Sequence, residues 1–329
     1  MSWFFNCDLE DFLKSGKNRY EIQSNKFNQE FEYFILWLEN EALYSTKKYR
    51  SEFLDFVSTY NNCSVVTTKN NDVKNWCVPI YNIEEQKKLN SKIETTRFAI
   101  KNNLAHKNTQ IIDETCDLED GYLYKEAYGV SGIGTWKIHS KPKTVTFPLV
   151  KDPLLKRTFD FSSLIDGRDM YMYQNHIDDH FQYRGTTIGL NFDYFDWIEE
   201  YKINIEKIKK VFSSIHTPMS IDSFLYSENN EEKVYTLSEV NNRKTMGFIA
   251  LKLKEKLFQN YRYMRLRIFS INQLKRDYSY KDLVLQFDKK VIPLSPIENR
   301  FLTFALAEDS LGELNELEDL LISTFFKEA

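Results

Sequence analysis

Asp222, Glu239, Asn241 and Arg243 carry the densest chemical signal in the sequence. They fall in two runs, 220–226 and 234–243, that each alternate apolar and polar residues, with an acidic, Asn-rich segment at 228–232 between them. Alternation on both sides of a turn-forming segment predicts a β-hairpin. A symmetric turn sets Ser227 opposite Val234, Tyr226 opposite Tyr235, Phe224 opposite Leu237 and Asp222 opposite Glu239. Side chains alternate along a strand, so Glu239, Asn241 and Arg243 then share one face and Asp222 meets them there. Two carboxylates and an amide oxygen make an all-oxygen donor set, which suits Mg²⁺ bound together with phosphates, and the arginine offers a place for an anionic substrate. The same pattern also describes an ordinary hairpin with a polar exposed face, and a one-residue slip would scatter the cluster.

A second stretch, 121–138, reads as a strand ending near Lys125, a loop with Gly129, Gly132 and Gly134, and another strand from Thr135. Glycines let backbone N–H groups wrap phosphate oxygens, and a lysine entering the loop adds a point charge. No helix is expected after these glycines, so the dinucleotide fingerprint is not met, and the spacing is not that of a Walker loop. A third stretch, 169–180, is a strand of large apolar residues entering a polar segment. His176 and His180 would share a face only on a helix, and no third histidine offers itself as a zinc ligand.

The elements that must position these groups follow from periodicity. Residues 1–24 suit a strand and a short helix, and 26–60 suit two amphipathic helices broken near Tyr44. A helical segment spans 84–103, with Ser91 as its cap if it starts late. Short strands and turns fill 144–165, with Lys156 and Arg157 in a basic patch, and 184–189 continues a sheet. Helices are expected over 196–215 and from 247 to about 257. The basic run 261–268 reads as a solvated strand face, and the acidic tail 308–318 as a closing helix.

The 329 residues are 42% hydrophobic and 15% aromatic, with Phe and Tyr spread along the length, so a sizeable core is affordable. A formal charge of −4 gives no general attraction to nucleic acid or anionic membrane. No run of apolar residues is long enough to span a bilayer, and the start of the chain lacks the pattern of a signal peptide. Four scattered cysteines read as free thiols. A cytoplasmic protein without nucleic-acid or membrane partners is the expectation.

Taken together, the three stretches resemble the ATP-grasp superfamily of ATP-dependent ligases. The glycine segment looks like that family's strand-lysine-glycine lid, Glu239-Val-Asn241 looks like its Glu-x-Asn metal motif, and Ser91-Lys92 is similar to the signal that opens its nucleotide-binding region. The match covers roughly residues 88–260. It implies an α+β fold in which two subdomains, 88–173 and 174–329, grip ATP between antiparallel sheets, after a mainly helical N-terminal region, 1–87, as possible substrate domain. By that resemblance Lys92 and Lys125 hold phosphates, and Ser131, Gly132, Ile133 and Gly134 close over them. Gln174, Asn175, His176 and Ile177 fall at the adenine hinge, with Asp178 or Asp179 at the ribose. Asp222, Glu239 and Asn241 carry Mg²⁺, or Mn²⁺ in its place, and Arg243 and Arg184 face substrate. Some members have an arginine two residues before the first metal acid, where this chain has Ser220, and many have Glu at the position of Gln174. The implied reaction is a carboxylate-amine, or thiol, ligation through an acyl phosphate, on an amino acid or peptide, with release of ADP. A kinase-like phosphotransferase and a non-catalytic nucleotide sensor are the alternatives on the same scaffold.

Overall fold

Three sheets, each built by a different part of the chain, frame one cavity in the computed structural model. It describes residues 1–329 apart from 18–19, 23–24, 70–71, 81, 114–117, 130–131, 133, 180, 215–216 and 328–329.

The first sheet is parallel and comes from the N-terminal region. Strands β1 (Ser2–Phe4), β2 (Ala42–Tyr44), β3 (Val65–Val66) and β4 (Val73–Asn75) lie in the order β3-β2-β1-β4, joined through helices α1 (Leu9–Lys14), α2 (Lys26–Phe31), α3 (Phe34–Leu38) and α4 (Ser51–Ser58). The region 1–87 is mainly helical, as expected, with this small sheet in addition. Strands of two or three residues are too short to show alternation, and β2 falls where the sequence suggested only a break between helices. The region docks through its aromatics. Tyr33 donates to Thr303 Oγ1 at 2.6 Å, the Trp37 indole donates to the Leu294 carbonyl at 2.7 Å, and both rings are fully buried. Each polar tip finds a partner while the ring body leaves water, which makes such residues anchors rather than liabilities.

Helices α5 (Ile83–Leu89) and α6 (Lys92–Lys101) split the predicted 84–103 segment. Ser91 is the N-cap of α6, accepting from the Glu94 N–H at 3.3 Å, so its hydroxyl fixes where the helix begins and places Lys92 in its first turn.

The second sheet is the four-stranded antiparallel lid, with strands β5 (Gln110–Ile112), β6 (Tyr122–Lys125), β7 (Thr135–Trp136) and β8 (Leu149–Pro153) in the order β5-β8-β6-β7.

The third sheet has eight strands: β9 (Lys156–Asp166), β10 (Asp169–Ile177), β11 (Tyr183–Ile188), β12 (Met219–Glu228), β13 (Glu231–Asn241), β14 (Tyr263–Ser270), β15 (Val291–Pro293) and β16 (Phe301–Glu308). Their order is β13-β12-β9-β10-β11-β14-β16-β15. The chain therefore crosses from the lid to the large sheet at 154–155, not after residue 173 as the sequence suggested, because β9 and β10 pair with each other and with β12 and β11. Helix α7 (Ile198–Phe212) packs on the sheet through Ile198, Tyr201, Ile205, Ile208 and Phe212, a helical stripe of apolar residues. Helices α8 (Met246–Leu257), α9 (Tyr280–Gln286) and α10 (Leu311–Phe325) complete the layers. Buried side chains of α8 share a core with Phe5, Trp37 and Trp76, so the N-terminal region and the large sheet are packed as one body.

The β12-β13 hairpin forms, with a register that differs in an instructive way. Its turn is Asn229-Asn230, both at positive φ (55° and 63°), a two-residue turn of the kind that matches strand twist. This pairs Tyr226 with Lys233 and Phe224 with Tyr235 instead of the predicted partners. A bulge between Asp222 and Phe224 then takes up two residues on β13, and Asp222 faces Glu239 as the symmetric turn predicted. The basic strand β14 is also not solvated. Arg265 is buried, and both it and Arg267 pair with Glu318 of α10.

Candidate active site

The lid, the large sheet and the N-terminal region enclose a cavity of about 450 Å³. Lys92 stands where the three meet. Its buried amino group lies 2.8 Å from Glu239 Oε1 on β13, donates at 2.6 Å to the Gly129 carbonyl of the lid loop, and is 3.8 Å from Glu10 of α1. Lys125, at the end of β6, pairs with Asp152 of β8 at 2.6 Å and reaches Ser238 Oγ on β13 at 3.4 Å. Both lysines, from separate elements, thus point toward the strand that carries Glu239.

Asp222, Glu239 and Asn241 come together at the end of the hairpin. The Asn241 amide donates to Asp222 Oδ2 at 3.0 Å, and the Ser162 hydroxyl of β9 donates to Oδ1 at 2.6 Å. Enclosure at the cavity floor pushes the Asp222 carboxyl up to about 6, and the Glu239 charge adds to the rise against the pull of Ser162, Lys92 and Asn241. A carboxylate whose charge is this poorly compensated, beside a second carboxylate and an amide, fits a hard divalent cation: the oxygen donors suit it, and its charge would relieve the repulsion. Among the described residues no cluster of three His, Cys, Asp or Glu could hold a metal ion, and the set here is a mixed carboxylate-amide one.

The strands are held by packing behind the charges. The Tyr173 hydroxyl bonds Ser220 Oγ at 2.8 Å, and its ring lies so close to Gly247 that a Cβ there would sit 2.0 Å from it. Only glycine allows the start of α8 to approach β10 this closely.

Of the lid loop, Gly132 and Gly134 adopt φ of 81° and 80°, and Gly132 lines the cavity; Ser131 and Ile133 lie outside the described residues. The Gly134 carbonyl accepts from the Glu126 N–H at 2.9 Å, which ties the loop to the end of β6. Left-handed backbone of this kind is readily adopted by glycine and costly for other residues.

The stretch expected at the hinge is the end of β10. Gln174 and Asn175 are paired to β9 on one side and to β11 on the other, whereas His176 and Ile177 pair with β11 alone. Asn175 and Ile177 face the cavity, whereas Gln174 and His176 do not line it. The His176 ring bonds Thr187 Oγ1 at 2.7 Å, and burial, then Arg267 and Arg265, hold its pKa down to about 3. Asp179 is exposed in the following turn, and Asp178 pairs with Arg184 at 2.7 Å, so Arg184 is engaged at the cavity edge. Arg243 lines the cavity and is ion-paired with Glu10; burial lowers its pKa to about 10.

Sequence reasoning missed Glu10 and Asp152. Glu10 is buried, accepts from the Gly129 N–H at 2.7 Å, and meets both Lys92 and Arg243. Its neighbour Lys14 pairs with Glu126, so α1 grips the lid loop at two points. Nothing local marks an acid on a six-residue helix as central. Asp152 comes two residues after Val150, which lies opposite Lys125 in the β6–β8 pair, and it meets Lys125 only as a diagonal neighbour across the two strands.

At the level of sequence, no family model and no curated protein matches the chain. Solved structures do. N5-carboxyaminoimidazole ribonucleotide synthetase from Thermus thermophilus superposes with a TM-score of 0.57 at 10% identity, covering 100% of this chain and 99% of that one. N5-carboxyaminoimidazole synthetase from Staphylococcus aureus gives 0.52 at 11% identity, covering 86% and 90%. The ADP complex of purK, an N5-carboxyaminoimidazole ribonucleotide synthetase, gives 0.50 at 8% identity, covering 85% and 89%. At such identities the likeness is one of fold.

Proposed function

We infer the function from a chain that has the ATP-grasp fold: it is an ATP- and Mg²⁺-dependent ligase that activates a carboxylate as an acyl phosphate for attack by an amine. The observation that carries this is the convergence of Asp222, Glu239 and Asn241 with Lys92 under a lysine-bearing lid.

In this reading ATP lies between the lid and the large sheet, with its phosphates toward Lys92 and Lys125. Asp222, Glu239 and Asn241 would hold Mg²⁺, which when bound supplies charge neutralisation on the phosphate oxygens. Lys92 is held by Glu239 and by the Gly129 carbonyl, so it is aimed before substrate arrives. A substrate carboxylate oxygen attacks the γ-phosphorus, the bond to the bridging oxygen breaks and ADP leaves. The amine then attacks the acyl carbon, loses a proton, and inorganic phosphate departs. Positioning and electrostatics supply such catalysis, so no nucleophilic side chain is required. N5-carboxyaminoimidazole ribonucleotide synthetases share this fold, and the acid and amine used here are a separate question. Free thiols at Cys7, Cys63 and Cys77 are in keeping with a cytoplasmic setting. Among the described residues no helix is long and apolar enough to cross a membrane.

The test is ATP consumption with Mg²⁺ across pooled carboxylates, with and without pooled amines. The expected result is ADP and phosphate that appear only with an acid and rise with an amine. AMP as product would overturn the acyl-phosphate route. A stable phosphorylated product without an amine would make the protein a phosphotransferase, and nucleotide binding without turnover would make it a sensor.

A further inference from the structure

Part of the cavity lining comes from the junction of the N-terminal region with the large sheet. Three rings form its wall: Phe27 meets Phe31 edge-on at 5.9 Å, and Phe31 stacks on Phe301 at 6.0 Å and 12°. Phe27 and Phe31 belong to α2 of the N-terminal region and Phe301 opens β16, so the wall exists only because the two bodies dock. All three rings line the cavity and all three are only partly buried. Four guanidiniums line the same cavity, and two of them, Arg157 and Arg184, are paired with Asp160 and Asp178. Arg243 is held by Glu10, and Arg300 lies over the Phe301 ring at 5.1 Å and makes no ion pair among the described residues. The nearby Glu30 carboxylate is turned to the backbone, accepting from the N–H groups of Arg300 and Phe301 at 3.0 and 3.4 Å.

We propose that the acid activated at this site has a bulky, ring-bearing apolar body that lies on the Phe27–Phe31–Phe301 wall while its carboxylate reaches the Asp222–Glu239–Asn241 cluster. This rests on the ligase reading for the fate of the carboxylate, though not for the binding of the body. A small inorganic or short polar acid would leave a contiguous aromatic surface facing water inside a cavity, where apolar area gains most from being covered. A ring over these rings gains offset or edge contacts beyond area alone. The guanidiniums disfavour an ammonium-bearing body and admit an anion without like-charge repulsion. Phe27, Phe31 and Phe301 are therefore specificity-determining residues of the acid site.

The experiment is calorimetric titration of the full chain, loaded with Mg²⁺ and a non-hydrolysable ATP analogue, with N-acetyl-L-phenylalanine and with N-acetylglycine. The aromatic acid is expected to bind at least about tenfold more tightly. Phe31→Ser and Phe301→Ser should each remove most of that preference, and Phe31→Leu should keep it within about threefold. Equal affinities, no binding of either acid, or a preference unchanged in both serine variants overturns the proposal. The wild-type comparison decides the matter even where a variant fails to fold. ADP release with the bound acid and an amine pool reads the ligase separately: tight aromatic binding without ADP would sink the ligase reading and leave the subsite standing.

Discussion

Asp152 stands on the lid sheet and Asp222 on the large sheet, and their carboxyls are shifted in opposite directions. Asp152 is buried in the lid, and burial alone would raise its pKa. The charge of Lys125 at 2.6 Å and the hydroxyls of Thr109 and Tyr235, donating at 2.7 and 2.9 Å, outweigh it and hold the carboxyl below its usual range. Asp222 has two neutral donors and a second carboxylate for a neighbour, and the lysine nearby is closer to Glu239. One acid is saturated by its surroundings and the other is left short of positive charge. The first arrangement serves structure; the second stores a deficit that a cation and phosphates would complete.

Exchanging the two acids for amides should therefore have opposite signatures. Glu239→Gln and Asp222→Asn are each expected to lower ATP turnover by about a thousandfold or more while the fold persists, since they remove donors from the metal set. In the absence of ligands Asp222→Asn should unfold later than wild type, gaining about 1–3 kcal/mol above pH 7, because a strained charge disappears. Asp152→Asn leaves Lys125 buried without its counter-charge and should cost about 3–5 kcal/mol, read by denaturant unfolding. If Asp222→Asn destabilises as much as Asp152→Asn, the contrast between the two sites is broken.

Glu10 tests how far the Asp222 site depends on the N-terminal region. Glu10→Gln keeps an acceptor for the Gly129 N–H but withdraws the charge that faces Arg243 and Lys92. Turnover is expected to fall about 10- to 100-fold, with nucleotide affinity measured in parallel, because a misplaced lysine acts on catalysis more than on fold. A variant with wild-type turnover would confine the site to the lid and the large sheet.

Much of the site was legible because its signals are local. Asp222 and Glu239 face each other although the turn is tighter than expected: the Asn229-Asn230 turn shifts the register by two residues and the bulge beside Asp222 shifts it back. The reading was right at that pair through two compensating features that alternation does not reveal. Ser91 was legible as a cap because capping depends on one side chain and one N–H. That β10 is paired on both edges as far as Asn175 was not legible, because a strand of large apolar residues looks the same whether its edges are free or paired. Glu10, Asp152 and the buried Arg265–Glu318 pair were out of reach for a common reason: each is defined by a partner from a distant part of the chain, through docking or strand order that no local pattern encodes.

His176 offers the mildest test, on the side of β10 that does not line the cavity. Arg265 Nε donates to Thr187 Oγ1 at 2.9 Å, and the His176 ring shares that hydroxyl through Nε2 at 2.7 Å. Protonation would place a third cation beside Arg265 and Arg267. With the folded pKa at about 3 against an ordinary 6.5, the unfolded chain takes up the proton first as pH falls. Stability from this group is thus fully present above pH 6.5 and is lost progressively from there toward pH 3, by about 2 kcal/mol at pH 5. His176→Gln, which retains an acceptor but does not titrate, should flatten the difference in unfolding free energy between pH 7 and pH 5 by about that amount. Turnover at pH 7.5 should stay within about threefold of wild type, because nothing on that side touches the cavity. An unchanged pH slope would mean the ring is not the titrating group. A large loss of turnover would mean the two sides of the strand are coupled, and the separation between a saturated structural cluster and a deficient functional one would not hold across β10.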